Sequence, residues 1–280
     1  MANYLAETVE TSYVQGKLAR YGYREYGAQS DIPLVLLNRY KGTLDDWDPL
    51  LLDLLAKERR IITFDNVGVG YTDGTAPDTI EAMAEGAVDF LKAKGLKKVH
   101  ALGWSMGGFI AQILAIEYPE YFATVTVAGS GPGEPRIRPP EDLRSVEIRS
   151  KEAPSIDDVL FLFFPDTDAG REAGLAVLGR SYHRADGVTR ETKKDSWLNQ
   201  GKAINRWNSG EGSAWANLPK AGVPLLVANG THDVMEHVKQ TIAMSDQIPE
   251  GVTAIFADAG HAFLFQYPER FSRLVIGFTA

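Results

Sequence analysis

Six short and almost wholly apolar runs, separated by segments with helical periodicity, constrain the fold of this chain more than any other feature. Runs of this kind are typical of strands buried on both faces, which occur mainly in parallel sheets covered by helices. The runs are residues 33–37, 61–64, 99–102, 123–127, 224–228 and 252–256, and the helical segments are residues 47–57, 78–94, 106–117, 236–247 and 268–278. Residues 9–14 and 17–26 form two further predicted strands with a turn at Gln15-Gly16, and we expect this hairpin to make an antiparallel edge. The pattern predicts an α/β fold with a mostly parallel sheet flanked by helices.

The alternation of strands and helices stops between residues 131 and 218. This region opens with Gly131-Pro132-Gly133-Glu134-Pro135, continues with helical patterns, and contains no run typical of a buried strand. We therefore predict a helical cap, or lid, at residues 131–218. It would be inserted into an α/β core made of residues 1–130 and 219–280.

The composition excludes several classes of function. The 280-residue chain carries a net charge of −8, which disfavours nucleic-acid binding because phosphate backbones would be repelled. It has no cysteine, which excludes disulfides, thiolate metal sites and cysteine nucleophiles. No run approaches the roughly 18 apolar residues of a membrane span, and the first residues lack the basic and apolar regions of a signal peptide. We therefore expect a cytoplasmic protein with no membrane or nucleic-acid partner.

The pentapeptide Gly103-Trp104-Ser105-Met106-Gly107 is the strongest chemical signal in the sequence. It matches the pattern G-x-S-x-G and lies between the apolar run 99–102 and a predicted helix. A nucleophile at such a turn needs small neighbours, because the backbone passes closely. The helix N-terminus also places N–H groups and a positive dipole beside a developing oxyanion. This context predicts that Ser105 is a nucleophile.

A serine hydroxyl needs a base to remove its proton, and that base needs an orienting carboxylate. His261 is the best placed of the five histidines, because it follows the last predicted strand. Asp233 follows the strand before it, and the chain order Ser105, Asp233, His261 is the one found with this strand–turn–helix motif. Asp258 is the nearest alternative carboxylate, although it lies on the same loop as His261.

Two backbone N–H groups should complete the site by binding the oxyanion. One belongs to Met106, the residue after the nucleophile. The other comes from the loop after the run 33–37, where Tyr40 is our candidate and Arg39 stays open as an alternative. A backbone donor does not depend on side-chain type, so the polar composition of this loop is no obstacle.

Metal and nucleotide sites are disfavoured. His232 and His237 lie near Asp233, but these residues do not match the ligand set of an open metal site. The glycine-rich stretches at residues 68–70 and 129–133 do not fit a nucleotide-binding motif. We predict no metal and no cofactor.

The pentapeptide, the segment Phe64-Asp65-Asn66-Val67-Gly68-Val69-Gly70 and the closing segment 260–271 resemble the α/β-hydrolase superfamily over nearly the whole chain. The similarity is greatest with capped serine hydrolases of the cofactor-free haloperoxidase and esterase type. The resemblance implies a sheet of about eight strands, a helical cap over the site and a Ser-His-Asp triad. The sequence departs from the family pattern at Asn38-Arg39, where many members have His-Gly.

Aromatic residues in the predicted cap favour an apolar, partly aromatic pocket. The residues predicted to contact the substrate are Trp104, Arg39, Phe164, Tyr182 and Trp197. The expected reaction is hydrolysis of a hydrophobic carboxylic ester or lactone through an acyl-enzyme. Carbon–carbon bond hydrolysis, perhydrolysis and a lyase step stay open as alternatives on the same residues, as does a small-molecule receptor with slow turnover. We expect a small-molecule substrate as partner, and a monomer or homodimer.

Overall fold

A single sheet of eight strands forms the centre of the computed structural model, which describes residues 4–134 and 141–280. The strand order is β1-β2-β4-β3-β5-β6-β7-β8. The strands are β1 (Ser12–Gln15), β2 (Arg20–Gly27), β3 (Leu34–Leu37), β4 (Arg60–Phe64), β5 (Val99–Trp104), β6 (Phe122–Ala128), β7 (Leu225–Gly230) and β8 (Gly251–Phe256). Each lies where the sequence predicts a strand, so the predicted α/β class is confirmed.

Strand direction brings several loops to one edge of the sheet. β2 pairs antiparallel with both β1 and β4, so the predicted antiparallel hairpin at the edge is confirmed. The pairings from β4 through β8 are all parallel. Because parallel strands end at the same side of a sheet, the loops that follow β3, β5, β7 and β8 converge there.

Helices cover both faces of this sheet. The α-helices of the described residues are α1 (Leu5–Thr8), α2 (Pro49–Ala56), α3 (Ile80–Ala93), α4 (Met106–Glu117), α5 (Leu143–Ser150), α6 (Ile156–Phe163), α7 (Asp168–Arg180), α8 (Lys194–Asn208), α9 (Val238–Ser245), α10 (Phe263–Gln266) and α11 (Pro268–Phe278), and some of them pack on other helices rather than on the sheet. α3 and α4 contribute to the apolar core on one face, where Phe64 and Phe90 stack with ring centroids 4.2 Å apart. α2, α10 and α11 contribute to the core on the other face. Among the described residues, no helix has the length and apolarity that crossing a membrane requires.

The expectation that every apolar run is buried on both faces is wrong for β8. β3, β5 and β7 are buried at every residue. In β8, by contrast, the side chains of Val252 and Ile255 are 43% and 40% exposed. The reason is position, because β8 is the last strand of the sheet and has β7 as its one neighbouring strand. An edge strand can keep an apolar sequence without the burial that central strands have.

Helices α5 to α8, which we refer to as the inserted helices, lie between β6 and β7 in the chain. Arg180, at the end of α7, donates hydrogen bonds of 2.7 and 2.6 Å to the two carboxylate oxygens of Asp48, the N-cap residue of α2. Asp48 is fully buried, so this charged pair anchors the inserted helices to the core. The predicted cap boundaries stay a prediction, and residues 135–140 within them lie outside the described part of the chain.

Asp89, on α3, holds the turn of the β1–β2 hairpin. Its carboxylate accepts hydrogen bonds from Lys17 N–H, Leu18 N–H and the Tyr21 hydroxyl at 3.1, 2.8 and 3.0 Å. Burial by itself would raise the pKa of this carboxyl, but the three hydrogen bonds and the charge of Lys17 outweigh it and lower the pKa. The ionised carboxylate therefore contributes to the stability of the fold.

We expect Asp89→Asn to lower the free energy of unfolding at neutral pH by about 1–3 kcal/mol, because an amide nitrogen replaces an acceptor oxygen. A carboxyl whose pKa is lowered by folding stabilises the protein above its unfolded pKa, which is about 4. That contribution is lost as the pH falls through the folded pKa, so the two proteins should converge in acid. Urea unfolding at several pH values checks this. Glu85→Gln, an exposed charge change on the same helix, should have little effect. A difference that does not depend on pH would contradict the prediction.

Candidate active site

Ser105 lies at the sharp turn between β5 and α4. Its backbone has φ of 59° and ψ of −121°, a conformation that is costly for any residue with a Cβ atom. Its N–H donates a 2.9 Å hydrogen bond to the carbonyl oxygen of Ala128 on the neighbouring strand β6. α4 begins at the next residue. The surrounding structure therefore holds a strained serine at the N-terminus of a helix, as the sequence predicts.

Two glycines of the pentapeptide let the backbone pass this closely. A Cβ atom on Gly103 would overlap the carbonyl oxygen of Gly107, and one on Gly107 would overlap the carbonyl oxygen of Leu37. In both cases the obstacle is backbone rather than a flexible side chain. The geometry of the turn therefore requires glycine at both positions.

His261 and Asp233 form a buried pair on the loops after β8 and β7. His261 Nδ1 lies 2.6 Å from Asp233 Oδ2, and both side chains are 0% exposed. Asp233 Oδ1 accepts hydrogen bonds from the N–H groups of Met235 and Glu236, each at 2.8 Å. Because an ionised carboxylate can only accept hydrogen bonds, Nδ1 is the donor of the pair. The Nε2 atom of the imidazole is then left to accept a proton.

His261 also lines a cavity. The Nε2 atom is buried and has no hydrogen-bond partner among the described residues. His261 and Ser105 both line this cavity, whose volume is about 610 Å³. The alternative carboxylate, Asp258, is 90% exposed and lies 3.6 Å from His232 instead. The structure thus brings His261 together with Asp233 and places His261 and Ser105 in the wall of the same cavity.

The loop after β3, residues 38–42, forms another part of the cavity wall, and we refer to it as the oxyanion loop. Asn38 anchors its start, because Nδ2 donates to Asp65 Oδ1 at 2.9 Å and Oδ1 accepts from the Trp47 indole N–H at 2.8 Å. Burial raises the pKa of Asp65 to about 8. Tyr40 of this loop lines the cavity.

Met106 is the other predicted oxyanion donor. It is the first residue of α4, and the first N–H groups of an α-helix have no acceptor within the helix. Met106 and Tyr40 line the same cavity as Ser105, so two backbone N–H groups can be directed at an oxygen bound there. Their role as donors, and the choice between Tyr40 and Arg39, stay predictions.

The cavity lining is mixed rather than simply apolar. Apolar side chains from the inserted helices and neighbouring loops include Val146, Ile148, Leu162, Phe163, Leu178 and Met235. Charged side chains also reach the wall, and they include Lys41, Glu141, Arg149 and Glu236. Apolar side chains predominate and aromatic ones such as Phe109 and Phe163 are among them, which agrees with the expected apolar, partly aromatic pocket, and the charged groups are an addition to it.

Three of the five predicted substrate-contacting residues do not line this cavity, and the structure corrects these predictions. Trp104 is packed beneath the histidine loop, where its indole N–H donates to the His261 carbonyl oxygen at 3.1 Å. Phe164 directly follows α6 and is buried in the apolar core on the α2 side of the sheet. Trp197 lies against the ammonium of Lys41, which is 4.0 Å from its ring centroid.

Arg39 and Tyr182, the other two, do line the cavity. The Arg39 guanidinium donates to the Tyr40 carbonyl oxygen at 2.8 Å and pairs with the carboxylate of Asp46. The Tyr182 hydroxyl donates to the same carboxylate at 2.8 Å. Asp46 therefore joins the oxyanion loop to the end of α7 at the cavity wall.

Sequence reasoning missed several residues that shape the site. Glu236 lies three residues after Asp233, and that closeness to a predicted triad residue was the available signal. Arg149, on α5, and Gln200, on α8, gave no such signal, because each lies more than thirty residues from every member of the predicted triad and in no recognised motif. Their place at the site depends on how the inserted helices fold back over the sheet.

The histidines weighed as metal ligands lie elsewhere. His232 and His237 line a separate groove of about 380 Å³ and do not line the cavity that holds Ser105. Within residues 4–134 and 141–280, no three side chains of the kinds that ligate metals come together. That the protein needs no metal or cofactor stays a prediction.

Comparisons with known proteins identify relatives over most of the chain. Residues 32–268 match the family described as the alpha/beta hydrolase fold. A solved alpha/beta hydrolase fold protein from Chitinophaga pinensis is 32% identical, with a TM-score of 0.88 over 98% of each chain. The 3-oxoadipate enol-lactonase 1 of Acinetobacter baylyi is 25% identical over 237 residues, which are 83% of each chain. An enol-lactonase from Burkholderia xenovorans shares the fold, with a TM-score of 0.75, 21% identity and coverage of 95% of this chain and 99% of that one.

Proposed function

Because the chain belongs to the α/β-hydrolase fold family, we propose that it is a serine hydrolase that cleaves a carboxylic ester or lactone through an acyl-enzyme. One observation carries the proposal. The buried His261–Asp233 pair leaves the imidazole Nε2 without a hydrogen-bond partner among the described residues, and His261 lines the cavity that also holds the strained Ser105. Nucleophile, base and orienting carboxylate are the three groups that this chemistry needs.

In the proposed reaction, His261 Nε2 takes the hydroxyl proton as Ser105 Oγ attacks the substrate carbonyl carbon. Asp233 accepts the hydrogen bond from Nδ1 throughout, so it holds the imidazole tautomer and stabilises its positive form. The N–H groups of Met106 and Tyr40 bind the oxyanion. His261 then gives its proton to the leaving oxygen, and the ester bond breaks. A water molecule, deprotonated by His261, attacks the carbonyl carbon of the acyl-enzyme. The bond from that carbon to Ser105 Oγ then breaks as His261 returns the proton to Oγ, which releases the acid and restores the serine hydroxyl.

The cavity supports a small-molecule substrate with an apolar part and a polar part. Its volume of about 610 Å³ lies within the usual range for small-molecule sites. Leu162, Phe163 and Leu178 form an apolar wall suited to a hydrocarbon group. Two relatives are named as enol-lactonases, which supports lactones as one substrate class. We also propose that the inserted helices act as the cap over this site.

Labelling with a fluorophosphonate tests the nucleophile. We expect Ser105 Oγ to displace fluoride from phosphorus, and mass spectrometry of a digest should place the adduct on the peptide that contains Ser105. Ser130→Ala is the matched control, because Ser130 is a buried serine after β6 whose hydroxyl has no hydrogen-bond partner among the described residues. The control should label like the wild type. Labelling of Ser105→Ala at the wild-type rate would contradict the proposal.

The reaction class is tested on the same preparation with p-nitrophenyl esters, lactones of several ring sizes and a carbon–carbon hydrolase substrate. Turnover of esters or lactones above the carbon–carbon substrate supports the proposal. The reverse order would favour carbon–carbon bond hydrolysis. Tight binding of these compounds without turnover would favour the receptor alternative.

A further inference from the structure

Gln200, on the inserted helix α8, reaches the oxyanion loop from outside the cavity. The residue is buried, with 1% of its surface exposed. Its Oε1 atom accepts a 2.9 Å hydrogen bond from the N–H of Lys41. A backbone N–H of the oxyanion loop is therefore held by a side chain that lies 159 residues away along the chain.

The carbonyl group of the same peptide unit is held as well. The peptide between Tyr40 and Lys41 consists of the Tyr40 carbonyl and the Lys41 N–H. Arg39 Nη1 donates to that carbonyl oxygen at 2.8 Å, while Gln200 accepts from the N–H. A peptide unit is planar, so contacts at its two ends fix the orientation of the whole plane. The plane in turn restricts the backbone of Tyr40, whose own N–H is the proposed oxyanion donor.

The backbone strain of this loop is at Lys41, so we expect the loop to change conformation there if the hydrogen bonds from Arg39 and to Gln200 are lost. The φ of Lys41 is 61°, in the left-handed region that is unfavourable for a residue other than glycine. Its ammonium donates to the carbonyl oxygens of Arg149 and Lys151, at 3.2 and 2.7 Å, at the end of α5. The side chain thus makes a second connection between the oxyanion loop and the inserted helices. Without Gln200, the strained backbone would lose the acceptor that opposes its relaxation.

From these contacts we infer that Gln200 is a positioning residue, through which the inserted helices hold the second oxyanion donor in place. This inference rests on the proposed function, because it concerns the N–H group that the mechanism assigns to Tyr40. Gln200 does not line the cavity that holds Ser105, so it acts through the loop rather than on the substrate. The inserted helices therefore contribute to catalytic rate as well as to the shape of the cavity.

A misplaced oxyanion donor should lower kcat more than it weakens substrate binding. The oxyanion forms only as the reaction proceeds, so its donors act on the transition state rather than on the bound substrate. A misplacement of about 1 Å at a reacting centre can lower the rate by about 100-fold. We expect kcat to fall by about 10- to 100-fold when Gln200 loses its acceptor, with KM changed by less than about threefold.

Two substitutions of Gln200 by side chains of similar length distinguish the effect of the hydrogen bond from the effect of packing. Gln200→Met keeps the length of the side chain and removes the acceptor, so it should show the loss in kcat. Gln200→Glu keeps an acceptor oxygen, so it should retain most of the wild-type kcat. Asn199→Leu is the matched control, because Asn199 lies on the same helix and its side chain donates to the Ala76 carbonyl oxygen at 2.9 Å, away from the oxyanion loop. It should leave kcat near the wild-type value.

The inhibition constant of an alkyl trifluoromethyl ketone is a second measurement, and it would not change if Gln200 only stabilised the fold. Ser105 Oγ would add to its carbonyl carbon, His261 would take the hydroxyl proton, and the resulting hemiketal oxyanion would occupy the oxyanion site. In Gln200→Met its inhibition constant should rise by the same factor by which kcat/KM falls. If that variant does not fold, as judged by circular dichroism, Gln200→Asn replaces it, because the shorter amide withdraws the acceptor and should show the same loss.

The results that would overturn the role of Gln200 differ from the result that would overturn the role of Ser105 as nucleophile. Wild-type kcat in a folded Gln200→Met or Gln200→Asn protein would overturn this inference and leave the serine mechanism untouched. Equal losses in Gln200→Met and Gln200→Glu would also overturn it, because the acceptor would then not matter. Full activity in Ser105→Ala would instead remove the mechanism on which the inference rests.

Discussion

Replacing Ser105 with alanine is expected to lower kcat for an activated p-nitrophenyl ester by about 10⁵- to 10⁶-fold. The substitution removes Oγ, which forms the covalent bond, so no acyl-enzyme can accumulate. It keeps the Cβ atom, so the backbone strain at φ of 59° is the same in both proteins. Loss of activity should therefore occur without loss of the fold. Stopped-flow release of p-nitrophenol measures both the burst and the steady-state rate.

The comparison for this variant is Ser130→Ala, which removes a buried hydroxyl from the loop after β6. This control should keep kcat near the wild-type value, and both variants should unfold at similar temperatures. Substrate binding should survive in Ser105→Ala, because the attacking oxygen contributes to the transition state rather than to ground-state affinity. A burst of p-nitrophenol from purified Ser105→Ala would show that another group is the nucleophile.

Asp233→Asn is expected to lower kcat by about 10³- to 10⁴-fold, for a reason visible in the hydrogen bonds. The N–H groups of Met235 and Glu236 both donate to Oδ1, so the amide oxygen of asparagine should keep that position. The amide NH₂ would then face His261 Nδ1, where the carboxylate oxygen now lies at 2.6 Å. Since NH₂ donates, Nδ1 would have to accept, and the proton would move to Nε2. The histidine would present the wrong tautomer to Ser105.

Asp258→Asn is the control for this change, because it alters the same kind of side chain on the exposed loop before His261. It should leave the rate near that of the wild type. Steady-state kinetics with the p-nitrophenyl ester compare the two variants, and thermal unfolding confirms that both are folded. A loss in Asp258→Asn as large as that in Asp233→Asn would contradict the assignment of the orienting carboxylate.

The fold was predictable because burial leaves a direct mark on the sequence of central strands. β3, β5 and β7 are covered by helices on both sides, so almost every position is apolar and the runs are visible without a structure. The same signal misled at β8, whose Val252 and Ile255 are apolar without being buried. An apolar run indicates a strand of a parallel sheet. It does not indicate whether that strand is central or at the edge, because this depends on the order of the strands in the sheet.

The placing of Ser105, Asp233 and His261 was predictable for a related reason. Parallel strands bring their carboxyl ends to one side, so residues that follow different strands meet there whatever their separation in the chain. The side chains of the cavity wall follow no such rule. Phe163 and Phe164 are adjacent in sequence, yet only Phe163 lines the cavity, because consecutive residues at a helix end point in different directions. Tertiary packing, which the sequence pattern does not show, decides between them.

The groups proposed for chemistry and much of the cavity wall lie on different parts of the chain, and this affects how such an enzyme could acquire a new substrate. The groups proposed for chemistry lie on loops of the sheet, whereas much of the wall comes from the inserted helices. A chimera that exchanges residues 141–209 for those of a relative would change what fits while leaving Ser105 and His261 in place. The hydrogen bond from the Lys41 N–H to Gln200 on α8 limits which segments can be exchanged in this way. A donated segment would have to supply a replacement acceptor for this N–H. A graft that matches only the shape of the cavity would therefore acquire the relative's substrate selectivity but have a low kcat.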